Sequence, residues 1–240
     1  MENCIFQRHE LKYLVTAQQR DALEAGFADT MVPDVHGEST ICNIYYDTPD
    51  FRLIRRSLEK PVYKEKLRVR SYAQVGKNDP VFVEIKKKYN DVVFKRRISV
   101  PEVQAEEWLS GNIGQPLPSQ IADEIDYMKT FYKDLSPKCF LSYEREAFYS
   151  LLNDELRITF DENILARTTD MSLTKGAYGT GLLKPGTTLV EVKSPGALPI
   201  WLTSFLSENK IRKTSFSKYG EYYASYLRNG NSNKGGLLYA

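Results

Sequence analysis

Three strand-like segments each carry a glutamate two residues before a lysine: Glu10/Lys12, Glu84/Lys86 and Glu191/Lys193. Side chains alternate across a strand, so residues two apart share a face. Other cations keep the same step. Arg8 shares a face with Glu10 and Lys12, and Lys64, Lys66, Arg68 and Arg70 form a row opposite Leu67 and Val69. Glu84, Lys86 and Lys88 oppose Val81, Val83 and Ile85. Lys95 and Arg97 oppose Phe94, Ile98 and Val100, with Arg96 breaking the rule. Arg145, Arg157 with Asp161, and Lys193 extend the theme. Cations in such rows suit fixed contacts to phosphate oxygens, which Arg makes bidentately. Carboxylates among them suit Mg2+ or Mn2+, hard cations that bridge phosphate oxygens and offset their charge.

A solvated face of an antiparallel sheet would show the same alternation. Two features favour an enclosed face. Arg is used more heavily than wetting requires, and the Glu-x-Lys pairs recur on separate strands. Cations turned inward repel one another and lose hydration, so they call for a polyanionic guest. Phosphoryl transfer needs positioning and charge neutralisation more than a base. The lack of a Ser-His-Asp set, a reactive Cys or a histidine dyad therefore does not count against such chemistry.

Around these rows the sequence alternates strands with a few helices. Residues 4–15 read as a strand, after which Thr16, with Gln19 three residues on, caps a helix to about Asp29. Residues 39–47 are β-rich, and Pro49 opens a short helix carrying Phe51, Leu53, Ile54 and Leu58. Strands at 62–73, 80–89 and 92–100 follow, the last two joined by the turn Tyr89-Asn90-Asp91. Helices at 102–109 and about 119–132 precede strands at 137–149 and 155–166, joined near Asn153-Asp154. A Gly-rich loop over 167–186, a strand at 187–194 and helices at 199–208 and 217–227 complete the chain. About eight strands in hairpins predict an α+β fold with an antiparallel sheet. Residues 1–228 read as one domain and 229–240 as a disordered tail.

The net charge is only +2, with 33 basic against 31 acidic residues, so an anion site must come from local arrangement. Cys4, Cys42 and Cys139 are odd in number and form no CxxC pair, which argues against a disulfide framework or a thiolate zinc site and for the cytoplasm. No segment resembles a signal peptide or is apolar for long enough to span a bilayer. Lys175–Gly181 lacks the GK[ST] of a phosphate loop. Lys86-Lys87-Lys88 would split between two strand faces, and few aromatics accompany the charged rows, so nucleic acid is not an expected partner. Tyr45, Tyr46, Tyr222 and Tyr223 could stack an adenine, although tyrosines so placed more often belong to the core.

Eight ordered segments carry a resemblance: RHELKY (8–13), YYDT (45–48), KLRVRSY (66–72), VFVEIKKKYNDVVFKRR (81–97), SYERE (142–146), LRITFDENI (156–164), LVEVKSP (189–195) and SFSKYGEYY (215–223). Together they resemble the polyphosphate-polymerase domain of the vacuolar transporter chaperone (VTC) family, one of the triphosphate tunnel metalloenzymes. The resemblance implies a closed antiparallel eight-stranded β-barrel with helices packed outside. It also implies transfer of the terminal phosphoryl group of ATP to polyphosphate, with Mn2+ or Mg2+ as cofactor. By position it suggests Lys12, Arg68, Arg70, Lys86, Lys95, Arg145 and Arg157 as catalytic tunnel cations, and Lys218 as the lysine closing one end. Arg8, Lys66, Lys88, Arg97 and Lys193 would add phosphate contacts, Arg97 being the alternative to Lys95 if the turn before them shifts register. Glu191, with Glu10 and Glu84, would hold the metal. Hydrolysis of inorganic or nucleoside triphosphate in the same tunnel, or polyphosphate binding without turnover, remain alternatives. A separate membrane partner would be needed for passage of product across a membrane.

Overall fold

The computed structural model describes residues 5–6, 9–90, 92–152, 155–228 and 238–239. Arg8, part of each expected hairpin turn (Asp91 and Asn153-Asp154) and most of the expected disordered tail lie outside the described residues.

The eight long strands fall where the alternation predicted them: β2 (His9–Thr16), β4 (Ser39–Asp47), β5 (Tyr63–Tyr72), β6 (Pro80–Tyr89), β7 (Val92–Pro101), β8 (Ser136–Ser150), β9 (Arg157–Arg167) and β11 (Thr187–Ser194). Five short ones accompany them: β1 (Ile5–Phe6), β3 (Met31–Pro33), β10 (Gly179–Gly181), β12 (Lys213–Thr214) and β13 (Leu238–Tyr239). All thirteen join one antiparallel sheet among the described residues, its main path running β1-β7-β6-β5-β4-β8-β9-β11-β2-β12. The loop expected over 167–186 thus contains β10, which pairs with β9 and with β13 of the tail.

Helices α1 (Ala17–Phe27), α2 (Arg52–Leu58), α3 (Glu102–Ser110), α4 (Gln120–Tyr132), α5 (Ile200–Glu208) and α6 (Lys218–Tyr222) lie between strands, α6 continuing into a π-helical turn at Tyr223–Leu227. The predicted capping box is formed: Gln19 N–H donates to Thr16 Oγ1 at 3.2 Å, and Thr16 N–H donates to Gln19 Oε1 at 3.0 Å. The second helix starts later than Pro49 suggested. Its first turn is capped from outside by Asp47, whose carboxylate accepts the N–H groups of Thr48, Leu53 and Ile54 at 2.8, 2.8 and 3.0 Å. The N–H groups of Leu53 and Ile54 have no partner within the helix, and a buried carboxylate satisfies them while matching the helix dipole.

The apolar face of β5, β6 and β7 (Leu67, Val69, Val81, Val83, Ile85, Ile98, Val100) packs under Trp108 of α3 and Ile125 and Met128 of α4. A second cluster joins Tyr13, Val15, Ile158, Val190 and Val192 to Leu23 and Phe27 of α1 and Leu202 of α5. Helices therefore cover the apolar face of the sheet, and the charged face is left to its concave side.

Curvature brings that face together. Six steps separate β6 from β2 along the path, about 29 Å in a flat sheet at the usual strand spacing. Yet Lys86 Nζ of β6 lies 3.8 Å from Glu10 Oε2 of β2. The sheet must curl into a near-ring. The expected closed eight-stranded barrel is corrected in one respect: among the described residues no ladder joins β7 to β2. Instead β1 pairs with β7, β2 pairs with β11, and the other edge of β2 is taken by β12 at Tyr13 and Lys12. The ring's two ends are nonetheless successive pieces of chain, since Phe6 and His9 are three residues apart and so within about 11 Å.

Candidate phosphate-binding cavity

Inside the curl lies a cavity of about 190 Å³. Nine cationic side chains line it, Lys12, Lys66, Arg68, Arg70, Lys86, Lys95, Arg145, Lys193 and Lys218, against three carboxylates, Glu10, Glu84 and Glu191. Cross-strand register builds the rows. Lys66 and Lys95 both flank Lys86, Arg68 flanks Glu84, and Glu191 and Lys193 face Lys12 and Glu10.

The deepest part is an ion network. Arg145 of β8 grips Asp161 of β9 bidentately at 2.5 and 2.6 Å and reaches Glu191 at 2.9 Å. Lys218 at the start of α6 bonds Asp161 and lies 3.2 Å from Glu191, which also accepts from Lys12 at 2.9 Å. On the opposite wall Arg68 holds Glu84 at 2.7 and 2.8 Å, with Lys95 2.9 Å from the other carboxylate oxygen. Arg70 is fixed by Asn43 at 2.9 Å and by the Tyr143 hydroxyl at 3.2 Å. Such crossed bonds preorganise the cations, so little rotamer entropy is left to lose on binding.

Charge in the cavity is unevenly satisfied. Burial favours neutral carboxyls, but Lys86 and Lys12 overcome it and hold Glu10 down at about 2, while Arg68, Arg70 and Lys95 do the same for Glu84. Lys218, Lys12 and Arg145 hold Glu191 well below the carboxylate range. Burial, reinforced by Lys86, Lys12, Lys64 and Arg68, pulls Lys66 down to about 7. Lys95 and Lys193 fall to about 8, burial again being the chief cause. With nine cations against three carboxylates in its lining, the cavity carries more positive charge than those carboxylates neutralise.

Twelve of the sixteen residues expected at the site line this cavity. Arg157 does not: it is half-exposed and bonds Asp34 after β3, a neighbour that no strand pattern reveals. Arg97 lies over the Phe82 ring at 4.4 Å, and Lys88 is one step beyond the lining. Arg8 is outside the described residues. Asp161, fully buried between Arg145 and Lys218, was read on the charged face with Arg157 but given no role at the site. Tyr45, Tyr143 and Tyr219 also line the cavity: Tyr45 stacks on Tyr219 at 4.8 Å, and its hydroxyl accepts from Arg68.

The three expected metal-holding glutamates do not come together. Among the described residues no three Asp, Glu, His or Cys side chains gather as a metal cage. Glu10 and Glu191 share Lys12 at 3.3 and 2.9 Å, whereas Glu84 belongs to the Arg68 wall. Mg2+ and Mn2+ favour one or two carboxylates, with the remaining ligands from phosphate and water. Glu10 and Glu191, which share Lys12, are the pair that would hold such an ion, with Glu191 giving up contacts to Lys12, Lys218 or Arg145 to do so.

Comparison with known proteins bears on this geometry. A family model described as VTC domain matches residues 7–227. No curated protein matches the chain. Among solved structures, a presumptive adenylate cyclase from Bacillus halodurans is similar with a TM-score of 0.55 and 13% identity, over 89% of this chain and 95% of that one. A presumptive adenylyl cyclase from Hippeastrum, described as having a dominant triphosphatase activity, is similar with a TM-score of 0.50 and 15% identity, over 91% and 97%. At such identities the likeness is one of fold.

Proposed function

The chain belongs to the VTC domain family, and from that premise we propose that it is a phosphotransferase moving the terminal phosphoryl group of ATP onto a polyphosphate chain. The observation that carries this reading is the nine-cation cavity with its interleaved carboxylates. Oxygen of an acceptor phosphate attacks the γ-phosphorus, the bond to the β–γ bridging oxygen breaks, and ADP leaves. The acceptor is already ionised at neutral pH, so no base is required.

The residues act by position and charge. Arg68, Arg70 and Arg145 are held by bonds of their own and present fixed guanidinium forks to phosphate oxygens. Lys12 and Lys218 act as point charges on either side of Glu191, which keeps them from repelling each other. Lys66, Lys86, Lys95 and Lys193 neutralise the outer phosphates. A divalent cation held by Glu10 and Glu191 would supply further charge neutralisation on the phosphate oxygens.

Hydrolysis is the second reading, and the cavity's shape favours it. In-line attack comes from the side opposite the leaving oxygen. If ATP enters by the open side, that space is bounded by Lys218, Tyr143 and Tyr219, all under a tenth exposed, which suits water better than a chain. The triphosphatase activity of the Hippeastrum protein is in keeping with it. Incubating the purified protein with ATP, Mn2+ and a short polyphosphate primer separates the two. Long chains with ADP support transfer, and orthophosphate without chain growth supports hydrolysis. Neither product, with binding intact, would leave a non-catalytic phosphate binder.

A further inference from the structure

The strands that carry the phosphate cavity on one face carry a second, larger cavity on the other. Arg145 lines the first and bonds Asp161, so the next residues along, Glu144 and Glu162, point away from it. On that outer face of β8, Phe140 belongs to the cluster packed under α3 and α4, and Phe148 to the cluster packed under α1 and α5. Ser142, Glu144 and Glu146 fall between the two. The backbone makes room there. The β8–β9 register shifts between Ser142 and Glu144, and Asn163 opposite takes a φ of 46°. β10 and β11 both pair with β9, and the loop between them, 182–186, is tied down by Leu182 N–H to Ile164 O at 2.9 Å and by Ala17 N–H to Gly186 O at 3.0 Å. The cavity lined by this loop and the strands measures about 530 Å³, a size usual for small-molecule sites.

Its charge is the reverse of the phosphate cavity's. Glu144 and Glu162 stand directly opposite each other across the β8–β9 ladder, an arrangement that is destabilising unless a cation relieves it. Arg20 of α1 lies 3.3 Å from Glu162 but is shared with Glu146 and Glu24. Lys184 is the one other cation in the lining among the described residues. An adjoining cavity of about 200 Å³ shares Arg20, Glu144 and Glu162 and adds Glu38 and Glu146. Together the two set four carboxylates against two cations. Ile164, Leu165, Leu183 and Pro185 give the larger cavity an apolar wall. Ser142 also lines it, 1% exposed, and its hydroxyl has no hydrogen-bond partner among the described residues. A buried hydroxyl left unpaired is costly, and a ligand that bonds it removes that cost.

We propose that this outer cavity binds a small organic cation, an alkyl polyamine, with an ammonium group between Glu144 and Glu162 that also donates to Ser142 Oγ, and with its methylene stem on the apolar wall. Carboxylates and an accepting hydroxyl do not suit an anion. A bare divalent ion is a poor match, because no three carboxylates gather as a cage among the described residues and the space is many times the size of an ion. None of these residues lines the phosphate cavity, so the inference stands apart from the phosphate-chain reading.

Calorimetric titration of the intact, phosphate-free protein with spermidine tests this. One spermidine per chain is expected, with putrescine weaker and butanediol, its uncharged counterpart, about tenfold weaker still, the loss of a charge-assisted hydrogen bond. Glu144→Gln and Glu162→Gln should each lower spermidine affinity about tenfold. Glu107→Gln, which removes the same charge from an exposed position on α3, should leave it unchanged. Ser142→Ala gives up no bond in the free protein, so it should keep Tm while weakening spermidine several-fold. The proposal is overturned by an absence of binding, by Mg2+ displacing spermidine at equal concentration, by an equal loss in Glu107→Gln, or by Glu144, Glu162 and Ser142 variants that bind like the unmodified chain.

Discussion

Glu10 and Lys86 meet at 3.8 Å although six strand-to-strand steps separate them along the sheet. The pair lies where the two arms of the curl approach each other, and Lys12 sits 3.3 Å from the same glutamate. If Glu10 shares the divalent cation with Glu191, Glu10→Gln should raise the Mn2+ concentration for half-maximal activity about tenfold or more, the usual cost of a weakened ligand environment. The side chain is 34% exposed, so losing its pairs with Lys12 and Lys86 should lower Tm only slightly. An unchanged metal titration would take Glu10 out of metal binding.

Glu191 is the carboxylate on which Lys12, Arg145 and Lys218 converge. Glu191→Gln keeps the shape and removes the charge. Turnover should fall by about a hundredfold or more, since both the metal ligand and the alignment of three cations are lost. Thermal unfolding should occur at lower temperature, because removing one partner leaves buried cations poorly compensated. A variant that retains turnover would show that this carboxylate is structural.

Three lysines titrate near neutrality, Lys66 at about 7 and Lys95 and Lys193 at about 8. A bound polyanion favours their charged forms and so raises all three. Binding of ATP, whose terminal phosphate is already ionised above about pH 7.5, should then take up protons between about pH 7.5 and 9, and affinity should decline as pH rises through that window. Titrations in two buffers of different ionisation enthalpy measure the uptake directly. Proton release in that window would contradict the assignment.

Tyr219 ties the helix bearing Lys218 to Asp47. Tyr219→Phe keeps the stack on Tyr45 and removes the hydroxyl. The expected stability loss is about 1 kcal/mol, or about 2–4 °C in Tm for a chain of this size. If the bond also places Lys218, kcat should fall several-fold with KM nearly constant. A lower Tm with unchanged kcat would assign the placement of Lys218 to its own ion pairs.

Much of the molecule could be read from alternation alone. The eight long strands and the inward rows follow from period-two patterning over Lys64–Arg70, Glu84–Lys88 and Glu191–Lys193, because a strand fixes its two faces locally. Capping at Thr16 was equally local. What escaped depends on distant chain. Arg157 shares the predicted face but is drawn to Asp34, and the Asp161–Lys218 contact joins residues 57 apart in sequence. The unclosed ladder follows from two residues, Lys213 and Thr214, occupying an edge that closure would need. β3 and β10, at three residues each, are too short for periodicity to register.

The pairing of β2 with β11, from Thr16 opposite Thr187 to His9 opposite Ser194, has a consequence for biogenesis. β2 finds this partner only after the 171 residues from Thr16 to Thr187 have been added, roughly ten seconds or more later at ordinary elongation rates. Until then its backbone edge is open to strangers. Glu10 and Lys12, charges on an otherwise sticky ribbon, act as gatekeepers during that wait.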